Sequence, residues 1–122
     1  MNVSVSQFKN WQVVSIEGRI DSFNYQIITQ KILDCVSGEN RFLAVDLSYT
    51  EFMNLPTLRF MTSTAELLAA RGGELALIAP SDVLMRHLEI FAAPHQVRVY
   101  KSLPALEETE AHRFSGTDHD AI

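Results

Sequence analysis

A chain of 122 residues that is 47% hydrophobic and 20% charged can form one domain around its own core, and it lacks the charge excess of a disordered chain. Its net charge of -5, with no cluster of lysine and arginine, argues against direct binding to DNA, RNA or an anionic membrane surface. The single cysteine, Cys35, excludes a disulfide framework within the chain and fits a reducing, cytoplasmic setting.

The opening stretch MNVSVSQFKN has neither the basic nor the apolar part of a secretory signal, and no apolar run is long enough to span a bilayer. Val3, Val5 and Phe8 predict a strand. Lys9-Asn10 reads as a hairpin turn into a second strand, Trp11 to Glu17 (WQVVSIE), which is β-branched and apolar. Gly18 to Asp21 closes this unit. Ser22 is placed to cap a helix running to about Val36, with Tyr25, Ile28, Ile32 and Cys35 on one face at helical spacing. On that stripe Cys35 reads as a buried small hydrophobe. After the turn Ser37 to Asn40, the run Phe42 to Leu47 (FLAVDL) is apolar except for Asp46, as in a central strand covered on both faces.

Asn54-Leu55-Pro56 predicts a second helix, capped by Asn54 and ending near Arg71, because proline is tolerated only in the first turn. Its inner stripe reads as Leu58, Met61, Thr62, Ala65, Leu68 and Ala69, and Gly72-Gly73 stops it. Glu74 to Ala79 is another buried strand. Pro80-Ser81-Asp82 opens a third helix with Leu84, Leu88 and Phe91 inward, ended by Pro94. Val97 to Tyr100 is a last strand, and Ser102 to about Ala111 a last helix. Residues 1–111 then form the domain, and the polar, unpatterned stretch 112–122 is a tail expected to be disordered. Strands alternating with helices imply an α/β fold: a mixed, mostly parallel sheet of about five strands, joined by right-handed crossovers, with about four helices and an antiparallel edge from the hairpin.

Catalytic chemistry is not evident. His87, His95, His112 and His119 have no metal-ligand spacing, and His87 reads as part of a solvated helix face. Gly72-Gly73 follows a helix, where a phosphate loop precedes one. No serine or cysteine stands near a base, and Glu107, Glu108 and Glu110 read as a solvated face. The residues therefore point to a non-enzymatic protein with no cofactor and no metal.

Four segments in order resemble the STAS domain family. They are VVSIEGRIDS (Val13 to Ser22), LAVDLSYTEFMN (Leu43 to Asn54), RGGELALIAPS (Arg71 to Ser81) and VRVYKSLPAL (Val97 to Leu106). The resemblance runs from about Val3 to Glu110. It implies a sheet with helices mostly on one face, and a working surface around the start of the second helix. In the anti-sigma factor antagonists of this family that helix begins Asp-Ser-Ser-Gly-Leu, and its second serine is phosphorylated by the anti-sigma factor, itself a kinase. The matching residues here are Asn54, Leu55, Pro56, Thr57 and Leu58. Pro56 at the acceptor position has no hydroxyl. Thr57 carries the nearest one, a residue late and turned by about 100° on the helix, which makes it a poor substitute.

Leu55 and Pro56 put apolar groups at a helix start, either as contact surface or, for Leu55, as a local staple beside a proline that only begins the helix. Asp21 matches the family's acidic residue near the same edge; read alone, it is a charge favourable to a helix N-terminus. Asp46 reads as structural, accepting hydrogen bonds where its strand ends. The resemblance implies a partner, an anti-sigma factor or switch-type kinase, met through Asp21, Ser22, Asn54, Leu55, Pro56, Thr57 and the outer residues Arg59, Ser63 and Glu66. Two other readings stay open: an accessory subunit of a lipid-transporting ABC system, and a homodimer using Leu55-Pro56 as a self-contact.

Overall fold

The computed structural model of the chain describes residues 1–91 and 97–107. Its elements are β1 (Asn2–Phe8), β2 (Trp11–Ile20), α1 (Tyr25–Val36), β3 (Phe42–Met53), α2 (Leu55–Ala70), β4 (Glu74–Ile78), α3 (Asp82–Phe91) and β5 (Arg98–Tyr100). A further helical turn, α4, covers 104–107. The expected end of that helix, Glu108, Glu110, Pro94, His95 and the tail 112–122 lie outside the described residues, as does the side chain of Phe91.

The five strands form one sheet in the order β1-β2-β3-β4-β5. The β1–β2 pair is antiparallel; the other three pairs are parallel. Lys9, at φ 54, turns the hairpin. Side-chain alternation sends Val14, Leu43, Val45, Leu75 and Leu77 to one face, where α1, α2 and α3 cover them with Ile28, Ile32, Met61, Leu68, Leu84 and Leu88. Each such aliphatic side chain contributes about 1.5–3 kcal/mol by leaving water. Trp11, Val13, Ala44, Ala76 and Ile78 face the other way, under Leu106 of α4. Trp11 and Phe42 pack there with ring centroids 5.2 Å apart. The buried Glu74 accepts a hydrogen bond from the Tyr100 hydroxyl.

Several expectations need correction. Strand β2 runs three residues past Glu17, and β3 six past Leu47. Beyond Asp46, β3 pairs with β2 alone, through Glu17↔Tyr49 to Ile20↔Met53, with register shifts between Ser15 and Glu17 and between Gly18 and Arg19. Gly18, at φ 107, accommodates that irregularity. Ser22 does not cap α1; the cap position is Asn24. The inner stripe of α2 is Thr57, Leu58, Met61, Thr64, Ala65 and Leu68, with Thr62 half-buried and Ala69 exposed. Thr64 is compatible with the interior because its hydroxyl donates to the Phe60 carbonyl at 2.8 Å. His87 is half-buried and meets the ring of Phe52 edge-on, centroids 6.5 Å apart.

The end of α2 is as expected and specific. Gly72 N–H donates to the Ala69 carbonyl and Gly73 N–H to that of Leu68, the paired bonds of a Schellman motif, with Gly72 at φ 79. A Cβ at Gly73 would stand 1.8 Å from the Arg41 carbonyl oxygen.

Candidate functional site

The end of β2 and the start of α2 are joined directly: Asn54 N–H donates to the Ile20 carbonyl at 3.0 Å. This bond sets the loop beginning at Asp21 beside the first turn of α2.

Asp21 organises that loop. One carboxylate oxygen accepts from the N–H groups of Phe23 (2.9 Å) and Asn24 (3.1 Å). Asn24 answers: its side-chain oxygen accepts from Asp21 N–H at 2.9 Å, and its amide donates to the Arg19 carbonyl at 2.9 Å. These bonds hold a compact turn ahead of α1. They explain why α1 starts two residues later than a Ser22 cap would give. Ser22 is exposed on the turn, and beside it Phe23 is 94% exposed. This aromatic ring stands fully in water on a turn fixed by hydrogen bonds at both ends. Sequence reasoning missed Phe23. The one available signal was an aromatic residue between Asp21-Ser22 and Asn24, off the apolar stripe of α1.

At α2, Asn54 has extended backbone and its side-chain oxygen accepts from Thr57 N–H at 3.2 Å. The same oxygen accepts from the Thr57 hydroxyl. Thr57 is 0% exposed. It was expected on the contact surface and is instead an interior residue, because one cap oxygen satisfies both its donors. Leu55 is half-buried against the helix-side core, while Pro56 is exposed, so of the two only Pro56 is fully presented. Arg59, Ser63 and Glu66 are exposed one turn apart on the outer face of α2. The structure therefore brings Asp21, Ser22, Phe23, Asn54 and Pro56 to one end of the domain, with Arg59 and Ser63 continuing along α2.

Asp46 accepts from Ser48 N–H at 3.0 Å and from the Ser48 hydroxyl, a structural role as expected, but in mid-strand and not at the strand's end, because β3 continues to Met53. Cys35 is buried, and burial, with the neighbouring Asp34 carboxylate adding to it, pushes its thiol pKa up, away from nucleophilic use. Among the described residues, no three of His, Cys, Asp and Glu come together as metal ligands, and no helix is long and apolar enough to cross a membrane.

The sequence model of the STAS domain matches residues 2–106. The chain belongs to the STAS domain family. No curated protein matches this STAS chain. Among solved structures it is similar to a protein of Thermotoga maritima described as an anti-sigma factor antagonist, with 16% identity and TM-score 0.78 over 88% of this chain and 92% of that one. It is similar to an anti-sigma factor antagonist of Mycobacterium paratuberculosis, with 23% identity and TM-score 0.78 over the same shares, 88% and 92%. It also resembles the anti-sigma factor antagonist SpoIIAA in its unphosphorylated form, at 16% identity and TM-score 0.66, over 95% of this chain and 100% of that one. At these identities the likeness establishes the STAS fold, with its five-stranded mixed sheet.

Proposed function

We propose that this STAS domain is a non-enzymatic regulator of the anti-sigma factor antagonist kind, working in the cytoplasm, that binds an anti-sigma factor or switch-type kinase without a phosphorylation switch. The observation that carries the reading is the chemistry at the start of α2. Pro56 has no hydroxyl, and that of Thr57 is fully buried and donated to Asn54. A kinase therefore has no acceptor within that turn. A phosphate there would add about -1.5 to -2 charges and drive a bound partner off or on. Without it, binding is reset only by abundance or competition. Asp21, Ser22, Asn54, Leu55, Pro56, Arg59 and Ser63 form the contact surface, with Phe23 added as an anchor and Thr57 acting from beneath through Asn54.

The test is affinity capture of tagged protein from its host, wild type beside Leu55→Asp/Pro56→Ser, followed by incubation of the complex with ATP. The expected result is a kinase-like anti-sigma factor bound to the wild type and lost from the variant, with no phosphate on the domain by mass spectrometry. Stoichiometric phosphate on Thr57, or capture of a transporter ATPase in place of the kinase, would refute the reading.

A further inference from the structure

The β1 edge offers a site that the α2 surface does not use. Among the described residues, strand β1, NVSVSQF, is paired on one side only, and it contains no charge and no proline. Exposed edge strands ordinarily carry lysine, proline or a bulge that discourages pairing, and the β1–β2 ladder is regular from Asn2↔Glu17 to Phe8↔Trp11.

Hydrogen-bond parity fixes what this edge can accept. Phe8 and Trp11 flank a two-residue turn, so they exchange bonds with each other. Alternation then turns the N–H and C=O groups of Asn2, Ser4, Ser6 and Phe8 toward β2, and those of Val3, Val5 and Gln7 outward. We propose that the free edge of β1 pairs antiparallel with β1 of a second copy about a two-fold axis at Val5, giving one continuous sheet through both molecules. The register follows from the parity. Only centring on Val5 matches all three outward residues at once: Val5 with Val5, Val3 with Gln7, and Gln7 with Val3. A shift by two residues matches two. In the centred register Ser4 falls opposite Ser6, close enough for hydroxyl bonding across the strands. Charge is consistent with the same place: two copies of net charge -5 meet with least repulsion along a strand that bears none. Seven residues extend about 24 Å, so the contact is small and the association weak, in the range of about 10–100 µM.

Sedimentation velocity from about 5 to 500 µM tests it. Wild type is expected to pass from monomer to dimer. Val5→Pro removes only an outward donor and leaves the β2 ladder whole, so it weakens association at least about ten-fold with the melting curve retained. Ser6→Pro, whose N–H faces β2, is the contrast and lowers the melting temperature. Val5→Lys and Val5→Glu are each monomeric, and an equimolar mixture of the two reassociates, because residue 5 meets residue 5. A wild type that stays monomeric to the highest concentration overturns the proposal. So does a dimer unaffected by Val5→Lys, one lost instead by Leu55→Asp, or a Lys/Glu mixture that fails to reassociate.

Discussion

Replacing Asn54 with alanine removes one oxygen that serves two donors. Loss of a side-chain N-cap costs about 1 kcal/mol. Here the same oxygen also accepts the hydroxyl of Thr57, a residue with no exposed surface. Stranding that hydroxyl in the interior adds about 1–3 kcal/mol. Asn54→Ala should therefore destabilise the domain by about 2–4 kcal/mol, a large share of the 5–15 kcal/mol typical of a domain of this kind. Asn54→Asp keeps the acceptor and adds a negative charge at a helix N-terminus, worth about 0.3–1 kcal/mol in the stabilising direction. Thr57→Val deletes the donor but spares the bond from Thr57 N–H to Asn54, so it costs only about 0.5–1.5 kcal/mol. Once the hydroxyl is gone, Asn54→Ala loses only the cap, and the double variant falls short of the sum by the stranding cost, about 1–3 kcal/mol. Urea unfolding followed by circular dichroism measures all four, with a common slope required. A loss under about 0.5 kcal/mol for Asn54→Ala, or additivity within about 0.3 kcal/mol, would refute the shared-oxygen argument.

Phe23→Ser should leave stability within about 0.5 kcal/mol of wild type, since the ring is in water, while abolishing partner capture; a large fall in melting temperature would show that the ring packs. Gly73→Ala must move either Arg41 or the end of α2, because the new methyl overlaps a backbone oxygen, and should cost about 3 kcal/mol or more by denaturant titration. Cys35 should resist iodoacetamide near neutral pH and react at once in denaturant. Its folded thiol pKa is raised, so the stability this confers is present below the ordinary thiol range and declines as pH rises through it, which a melting series into alkaline pH checks.

The sheet was legible because its signals are redundant. Apolar runs such as Phe42 to Leu47 and Glu74 to Ile78 need burial on both faces, and the Gly72-Gly73 stop is chemically specific. The far halves of β2 and β3 were not, because Gly18 and the polar run from Ser48 to Glu51 interrupt the apolar pattern. Pairing there comes from backbone bonds and from buried Thr50, whose hydroxyl reaches the Ile16 carbonyl at 2.7 Å. Threonine misled twice more. Thr57 and Thr64 look polar, yet their hydroxyls are satisfied locally, and this rotates the buried stripe of α2 away from Thr62 and Ala69. The placement of Asn54 survived because Asn-Leu-Pro admits few conformations. Phe23 escaped because periodicity finds apolar residues that go inside, and this one stays out.

Past Asp46, β3 pairs among the described residues with β2 alone, and the ring of Phe52 on it meets that of His87 from α3. The ribbon from Glu17 to Ile20 and from Tyr49 to Met53 is thus a two-stranded arm extending from the five-stranded body, pinned to the core at its tip by buried Ile20 and Met53, and the Asp21 turn and α2 cap sit at that tip. Its two register steps are the compliant joints. A partner pulling on Phe23 or Pro56 loads this arm at its tip, so the give is taken up there while the clamped part, Leu43 to Asp46, keeps its shape. Amide exchange should read the same mechanics: quicker along Tyr49 to Met53 than along Leu43 to Asp46 when the domain is alone, and slowed chiefly in the arm once the tip is held.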